Sequence, residues 1–500
     1  MNKVRNILTL CLIWLSIAAS AQDYDRVYRR NPWNASGNVT GIRQDSLSRS
    51  YAELRGEFHA GQLRQTWEAP RTWEAGAETA SIRHLERMSL KGSFSFSQNE
   101  GYDMCGSMFI HPGFYPVDIL EFTPGRKTLQ TYAFDGGISY DLDECWRIGA
   151  GMDFRSQNLA KRKDLRHDNW RLDMRISPGL MFHRDGFAAG VNYIIGKNSE
   201  TVDAEQVGTA ESSYYAFLDK GLMYGVYSVW TGSGLHLDED GTKGFPVKEL
   251  ENGIALQIQF GGLFAAASWI NSQGTAGEKE YIWFRFPGNR LDYLVAYRWR
   301  DGGEHTARMN LQWSERRTME SILEKVTENG VTTVQNHGLN RILAENTWAL
   351  SPEYEYYTDR WFLRLKSDLC WEKEVSSQMY PFVCTGSMMT WSLHADARIR
   401  SGRLDFEPEF GVCGGRISEG RRSIDEDSGV QTSPYRLEEW YRDRTDYITS
   451  PKSTVGAALK YNFPKGIYVG TGATWMHGFG KGNMGGKDRI GAAIFTGYNF

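Results

Sequence analysis

The stretch RIGAAIFTGYNF, Arg489 to Phe500, ends the chain. Ile490, Ala492, Ile494, Thr496, Tyr498 and Phe500 fall on one face. Arg489, Gly491, Ala493, Gly497 and Asn499 fall on the other, with Phe495 the exception. Alternation with period 2 is the signature of a strand with one apolar side. An aromatic residue at the end of such a strand suits the boundary between an apolar phase and water.

The same pattern recurs upstream. In MSLKGSFSFS, Met88 to Ser97, the residues Met88, Leu90, Phe94 and Phe96 oppose serines and Lys91. In WFLRLKSDLCW, Trp361 to Trp371, the apolar face opposes Arg364, Lys366 and Asp368. From Trp391 to Arg400 the polar face carries His394, Asp396, Arg398 and Arg400. Aromatics mark strand ends at Trp361, Trp371, Tyr132, Tyr140, Tyr461 and Trp475. Full charges in mid-strand suit a wet interior, and a charge-free opposite face suits lipid.

Connections alternate in length. Short turns are predicted near Arg83–Arg87, Leu142–Cys145, Phe182–Gly186, Asp219–Gly221, Gly261–Gly262, Asp301–Gly303, Tyr357–Arg360, Ser401–Gly402 and Phe463–Gly466. Longer stretches lie between them, near 98–127, 156–168, 197–211, 232–250, 273–290, 315–340, 374–387, 414–452 and 477–488. The prediction is an all-β chain forming a single transmembrane antiparallel β-barrel of about 20 strands, within about 16–22, with short periplasmic turns and long extracellular loops.

The N-terminus reads as an export signal. Lys3 and Arg5 precede the apolar run Ile7 to Ile17, which is too short to span a bilayer as a helix. Ala19-Ser20-Ala21 offers a cleavage site. The expected organisation is a signal peptide at 1–21, a periplasmic or lumenal segment at 22–50, and an outer-membrane barrel at 51–500. The sequence holds 57 Lys and Arg against 61 Asp and Glu, and loss of Lys3 and Arg5 takes its net charge from −4 to −6. That balance does not suit a nucleic-acid partner. Mean hydropathy is −0.50, which strands with only one lipid face allow. Five cysteines follow the signal, without the CxxC spacing of a metal site. Cys370 and Cys384 either bridge the base of one loop or stay free.

The lumen-facing charges Arg147, Asp153, Arg155, Arg171, Asp173, Arg175, Arg364, Lys366, Asp368, Asp396, Arg398 and Arg400 are the best functional candidates. They either set the selectivity of an aqueous pore or pair across strands and satisfy one another. Segment Gly106 to Phe122 is too apolar for a free loop; it either enters the lumen or packs on the rim. Loops 98–127 and 414–452 offer surfaces for a glycan or protein partner, and Lys161-Arg162-Lys163 either meets acidic head groups or is a solvated turn. No nucleophile motif, P-loop, cofactor fingerprint or metal motif is present in the sequence, so catalysis has little support. The leading expectation is a passive pore or transporter for a small or medium-sized solute. An interaction or anchoring barrel is the alternative, and an outer-membrane enzyme comes third.

A start near Gln22, alternating strands and the terminal aromatic together resemble outer-membrane barrels of Bacteroidota. GSMFIHPGFYPVDILEF, Gly106 to Phe122, looks like a segment of one such family of unassigned function. The resemblance implies contact with outer-membrane lipid and lipopolysaccharide. It also implies insertion by the barrel-assembly machinery, with Tyr498 and Phe500 as the assembly signal. It implies no chemistry and no cofactor.

Overall fold

The computed structural model describes residues 24–45, 47–205, 216–220, 227–230, 242–278, 281–329, 331–379, 382–422, 437–480 and 482–500. The first half contains β1 (Arg49–Gly61), β2 (Arg71–His84), β3 (Met88–Ser107), β4 (Asp118–Asp141), β5 (Trp146–Lys161), β6 (Arg166–Arg184), β7 (Phe187–Glu205), β8 (Ala216–Asp219) and β9 (Tyr227–Trp230). Then come β10 (Thr242–Phe260), β11 (Leu263–Glu278), β12 (Tyr281–Arg300), β13 (Glu304–Glu328), β14 (Val331–Tyr357), β15 (Trp361–Met379) and β16 (Phe382–Ser401). The last are β17 (Leu404–Arg422), β18 (Lys452–Asn462), β19 (Ile467–Gly478) and β20 (Asp488–Asn499).

Eighteen of these strands form one closed antiparallel barrel, in which β7 pairs directly with β10. The seam joins β20 to β1, from Tyr51 opposite Asn499 to Gly61 opposite Arg489. Phe500 lengthens it by exchanging backbone hydrogen bonds with Ser50 at 3.0 and 3.1 Å. Closure leaves no edge strand, which is what a sheet needs in a medium that cannot satisfy its backbone.

The barrel has eighteen strands, within the expected range of about 16–22, and β8 and β9 lie outside the ring. All four residues of β8 are buried, and β8 pairs with Asp118–Glu121 of β4. Asp219 ends β8 within this side hairpin, at the long-connection end of the barrel rather than the short-turn end; Gly221 lies outside the described residues. A second correction concerns the long stretches. Most of 156–168, 273–290, 315–340 and 374–387 is strand, and β13 and β14 run for 25 and 27 residues. A crossing needs about 9–11 residues. Beyond the membrane both faces are wet, so alternation fades while backbone pairing continues.

The outer face carries the apolar belt: Leu54, Phe94, Ile138, Ile195, Leu256, Val295, Leu365, Leu393, Leu459 and Ile494 are all exposed. On β15, Trp361 and Trp371 bound the belt ten residues apart. At about 3.3 Å per residue and a tilt of about 40°, that spans roughly 25 Å, the height of an outer-membrane apolar band. Among the described residues no helix is long and apolar enough to cross a membrane. The short turns follow local chemistry: Asp185 and Gly186 both hold positive φ, 47° and 80°, as a two-residue hairpin with the right twist requires.

Candidate functional site

The lumen is divided into a filled half and an open half. The filling begins with the N-terminal segment, which sits against the inner wall at the short-turn end. It comprises the helix Tyr24–Arg30 and two 3-10 turns, Pro32–Ser36 and Val39–Gln44. Trp33 is fully buried among Met181, Ala188, Phe264, Leu294 and Ala296. Its Nε1 donates to Gln259 Oε1 at 2.5 Å, and Asn38 Nδ2 donates to Gln257 Oε1 at 2.8 Å. The seat is a bed of inward glycines on four adjacent strands. A Cβ on Gly137, Gly149, Gly151, Gly179 or Gly190 would come within 3.1 Å of Trp33, Asn38 or Val39. Ion pairs ring the segment: Arg30–Glu304 at 3.0 Å, Arg30–Asp45 at 3.2 Å, Arg29–Glu355 at 3.4 Å and Arg43–Asp141 at 2.8 Å. Burial raises the hydroxyl pKa of Tyr28.

A second filling enters from the other end. Residues 108–117, between β3 and β4, fold into the lumen rather than onto the rim. Met108, Phe109, Tyr115 and Val117 join Phe245, Phe284, Phe286, Ile342 and Leu343 in one buried cluster. Ile110 N donates to Glu200 Oε1 at 2.8 Å, and the Arg171 guanidinium lies 4.1 Å over the Phe114 ring. Burial raises the Tyr115 hydroxyl, while burial and then the Arg171 charge lower His111. Stretch 98–127 is thus strand around an inward segment rather than a free loop. Lys161 of the basic triplet also turns inward, pairing with buried Glu121 at 2.6 Å. In 414–452, residues up to Arg422 belong to β17, and a helix spans Leu437–Thr449. Residues 423–436 lie outside the described residues. That helix caps the same end: Arg444 sits 6.0 Å over Trp67, Asp443 accepts from Asn483 at 2.7 Å, and burial pushes the Tyr447 hydroxyl up to about 12.

The open half is a cavity of about 850 Å³ against the walls of β13–β20, β1 and β2. Along β1 it runs from Tyr51 to His59. Those eight steps cover about 20 Å of barrel height at the same rise and tilt. Its walls carry both signs of charge, including Glu53, Arg55, Glu57, Glu78, Glu355, Arg364, Lys366, Asp396, Arg398 and Lys460. Tyr24, Arg29 and Arg30 of the N-terminal helix form part of its boundary. Among the described residues, no three or more His, Cys, Asp and Glu are grouped to hold a metal ion.

The twelve predicted lumen residues fall into two groups. Arg147, Asp153, Arg155, Arg171, Asp173 and Arg175 stand on β5 and β6; Arg147 and Arg171 are buried against the two fillings, whereas Asp153 and Arg155 are exposed and Asp173 and Arg175 partly exposed between them. Arg147 donates to Thr40 O at 3.1 Å and pairs with Asp141; Arg171 lies 3.8 Å from Asp173; Arg175 pairs with Glu251 at 2.8 Å. Arg155 is opposite Asp173, and Asp153 opposite Arg175. Arg364, Lys366, Asp368, Asp396 and Arg398 line the cavity. Arg364 pairs with Asp396 at 2.8 Å and Lys366 with Asp368 at 3.1 Å, while Arg398 faces the rings of Tyr357 and Phe362. Arg400 pairs with buried Asp405 at 2.9 Å, outside the cavity lining. Cys370 is free; it stands opposite Thr390, while Cys384 stands opposite Ser376. Six residues of strand separate those positions, too far for a disulfide. Sequence reasoning missed the β1 wall. Glu53, Arg55, Glu57 and His59 alternate with Ala52, Leu54, Gly56 and Phe58, a signal that was available.

A closed barrel, apolar outside and charged within, defines a membrane-spanning β-barrel with an internal plug. The chain belongs to the family of unknown function DUF6850, whose profile matches residues 39–500. A comparison with curated proteins gave no match. Solved structures with a similar trace include the copper transporter OprC, at 8% identity over 91% of this chain and 80% of that one, with a TM-score of 0.42. The siderophore receptor PiuA from Acinetobacter baumannii is 8% identical over 90% of this chain and 82% of that one, with a TM-score of 0.41. The CymD monoaromatic hydrocarbon channel is 9% identical over 97% and 94%, with a TM-score of 0.33.

Proposed function

We propose that the protein is an outer-membrane barrel that lets a small hydrophilic solute pass along the open half of its lumen. The observation that carries this reading is the cavity beside β1, which covers about 20 Å of the roughly 25 Å belt and is lined by charge. A wall built only for stability would pack apolar residues there, as the Trp33 side does. In this reading the chain is exported through cleavage near Ala21 and inserted by the barrel-assembly machinery. The short turns then face the periplasm, and the β13–β14 hairpin stands outside the cell. Arg364, Lys366, Asp368, Asp396 and Arg398 act as the selectivity wall.

The test is conductance in planar bilayers, with solute-driven swelling of liposomes, for the wild type and a variant lacking residues 22–45. Stepwise conductance and swelling are expected from folded, heat-modifiable protein. Ion-tight bilayers with both proteins would overturn the pore reading.

A further inference from the structure

The N-terminal segment has two parts held by different forces. Beyond Asn31-Pro32 it is a wedge. Trp33 is fully buried, Asn31 caps the following turn through Trp33 N at 3.2 Å, and the glycine bed fits its contour. Before Asn31 the contacts change character. Tyr24 rests on Tyr51 of β1 with ring centroids 5.3 Å apart, and Lys91 of β3 lies 5.6 Å over the Tyr28 ring. Arg29, whose side chain is 37% exposed, pairs with Glu355 of β14. Around the ring β3 and β14 are nine strands apart in eighteen, so the helix Tyr24–Arg30 reaches diametrically opposite walls. Its root is fixed, because Arg308 and Arg298 donate to the carbonyls of Arg29 and Arg30. Its free end meets the barrel through rings: Tyr24 lies on Tyr51, and Tyr24 and Tyr28 pack against Val39 and Ile42 of the wedge and Ile82 of β2.

We infer that the helix Tyr24–Arg30 is an autoinhibitory arm that narrows the cavity from the periplasmic side and widens it when its Tyr24 end lifts from β1, about the fixed carbonyls of Arg29 and Arg30. This rests on the pore reading above. Asn31, confined before Pro32 to extended backbone at φ −93° and ψ 105°, keeps the wedge seated while the arm moves. Tyr24, Arg29 and Arg30 of this seven-residue helix line the cavity, so withdrawal of the arm adds the space it occupies to the path.

Single-channel recording of the full chain tests this against a variant lacking residues 22–30, with heat-modifiable migration confirming that both fold. A conductance above the wild-type value, or conductance where the wild type is silent, is expected from the deletion. Equal conductance from the two would overturn the arm and leave the pore reading standing. Silence from both would overturn the arm, and silence extending to the variant lacking residues 22–45 would overturn the pore reading as well. A second variant, Tyr24→Cys with Tyr51→Cys, pins the arm without deletion. Oxidation is expected to hold the low state and reductant to release it, with neither single variant responding. A cross-linked arm that leaves the conductance trace unchanged would also overturn the proposal.

Discussion

Trp33→Ala tests whether the N-terminal wedge is a docked part independent of the barrel. The Trp33 side chain is fully buried against Met181, Ala188, Phe264, Leu294 and Ala296, with Phe264 edge-on at 5.3 Å. Truncating such a side chain costs about 3–5 kcal/mol. Losing the bond to Gln259 Oε1 adds about 1 kcal/mol. At about 1.4 kcal/mol per tenfold, the seated state loses at least two to three orders of magnitude in population. None of that loss falls on strand pairing, because the seat is side chain and glycine rather than ladder. Trypsin treatment of the folded barrel is therefore expected to cut the variant at Arg43 while the wild type stays protected. The heat-modifiable band should be unchanged in both. Trp170→Ala, 59% exposed on the outer face, is the control and should leave protection intact. A Trp33→Ala protein as resistant as the wild type would refute independent docking. So would one whose barrel unfolds.

Ile494→Arg puts a charge on the lipid face of β20 at a position 65% exposed, at about 2–4 kcal/mol near the midplane; together with deletion of Phe500 it is expected to lower folded outer-membrane yield, read by membrane fractionation. Gly151→Val brings a Cβ 2.7 Å from Val39, and overpacking of about 1–3 kcal/mol should loosen the wedge and speed its proteolysis. Lys366→Glu with Arg398→Glu on the cavity wall should move the reversal potential in a salt gradient toward cation preference, whereas Arg171→Glu in the filled half should not move it. Asp143 accepts from the amides of Cys145 and Trp146 at 2.7 Å, which holds its carboxyl below the usual range. A depressed pKa stabilises the turn above the unfolded value and is lost below it, so exchange protection of those two amides should hold above about pH 4 and fall in more acid solution.

The parts of the fold legible in the sequence are those where one physical constraint acts on each face. On β15 lipid selects Trp361, Leu363, Leu365 and Leu369, while water selects Arg364, Lys366 and Asp368, and the alternation shows both. β1 was harder to see because its lipid face uses Ala52, Gly56 and Ala60 between Leu54 and Phe58, a weaker apolar signal. The turn expected near Asp219 gives way to β8, whose AFLD is buried on β4 rather than set against lipid. The wedge was illegible. Trp33 sits in a polar segment with two turn signals, and its seat comes from Gly137, Gly151, Gly179 and Gly190, far apart in sequence. Pairing between distant strands brings them together. The burial of some of the twelve charges and the exposure of others has the same origin, since nothing local to Arg171 or Arg364 says which wall a plug will cover.

Thiol accessibility along β15 tests the central claim most directly. With the native cysteines replaced, single cysteines at positions 363 to 369 are exposed to a charged, water-soluble thiol reagent in intact outer membranes. Arg364→Cys, Lys366→Cys and Asp368→Cys are expected to react through the cavity, and Leu363→Cys, Leu365→Cys and Leu369→Cys to stay unlabelled in lipid. Uniform labelling of both faces, or protection of the inward positions with labelling of the outward ones, would contradict a lipid-embedded barrel with a wet, charged interior.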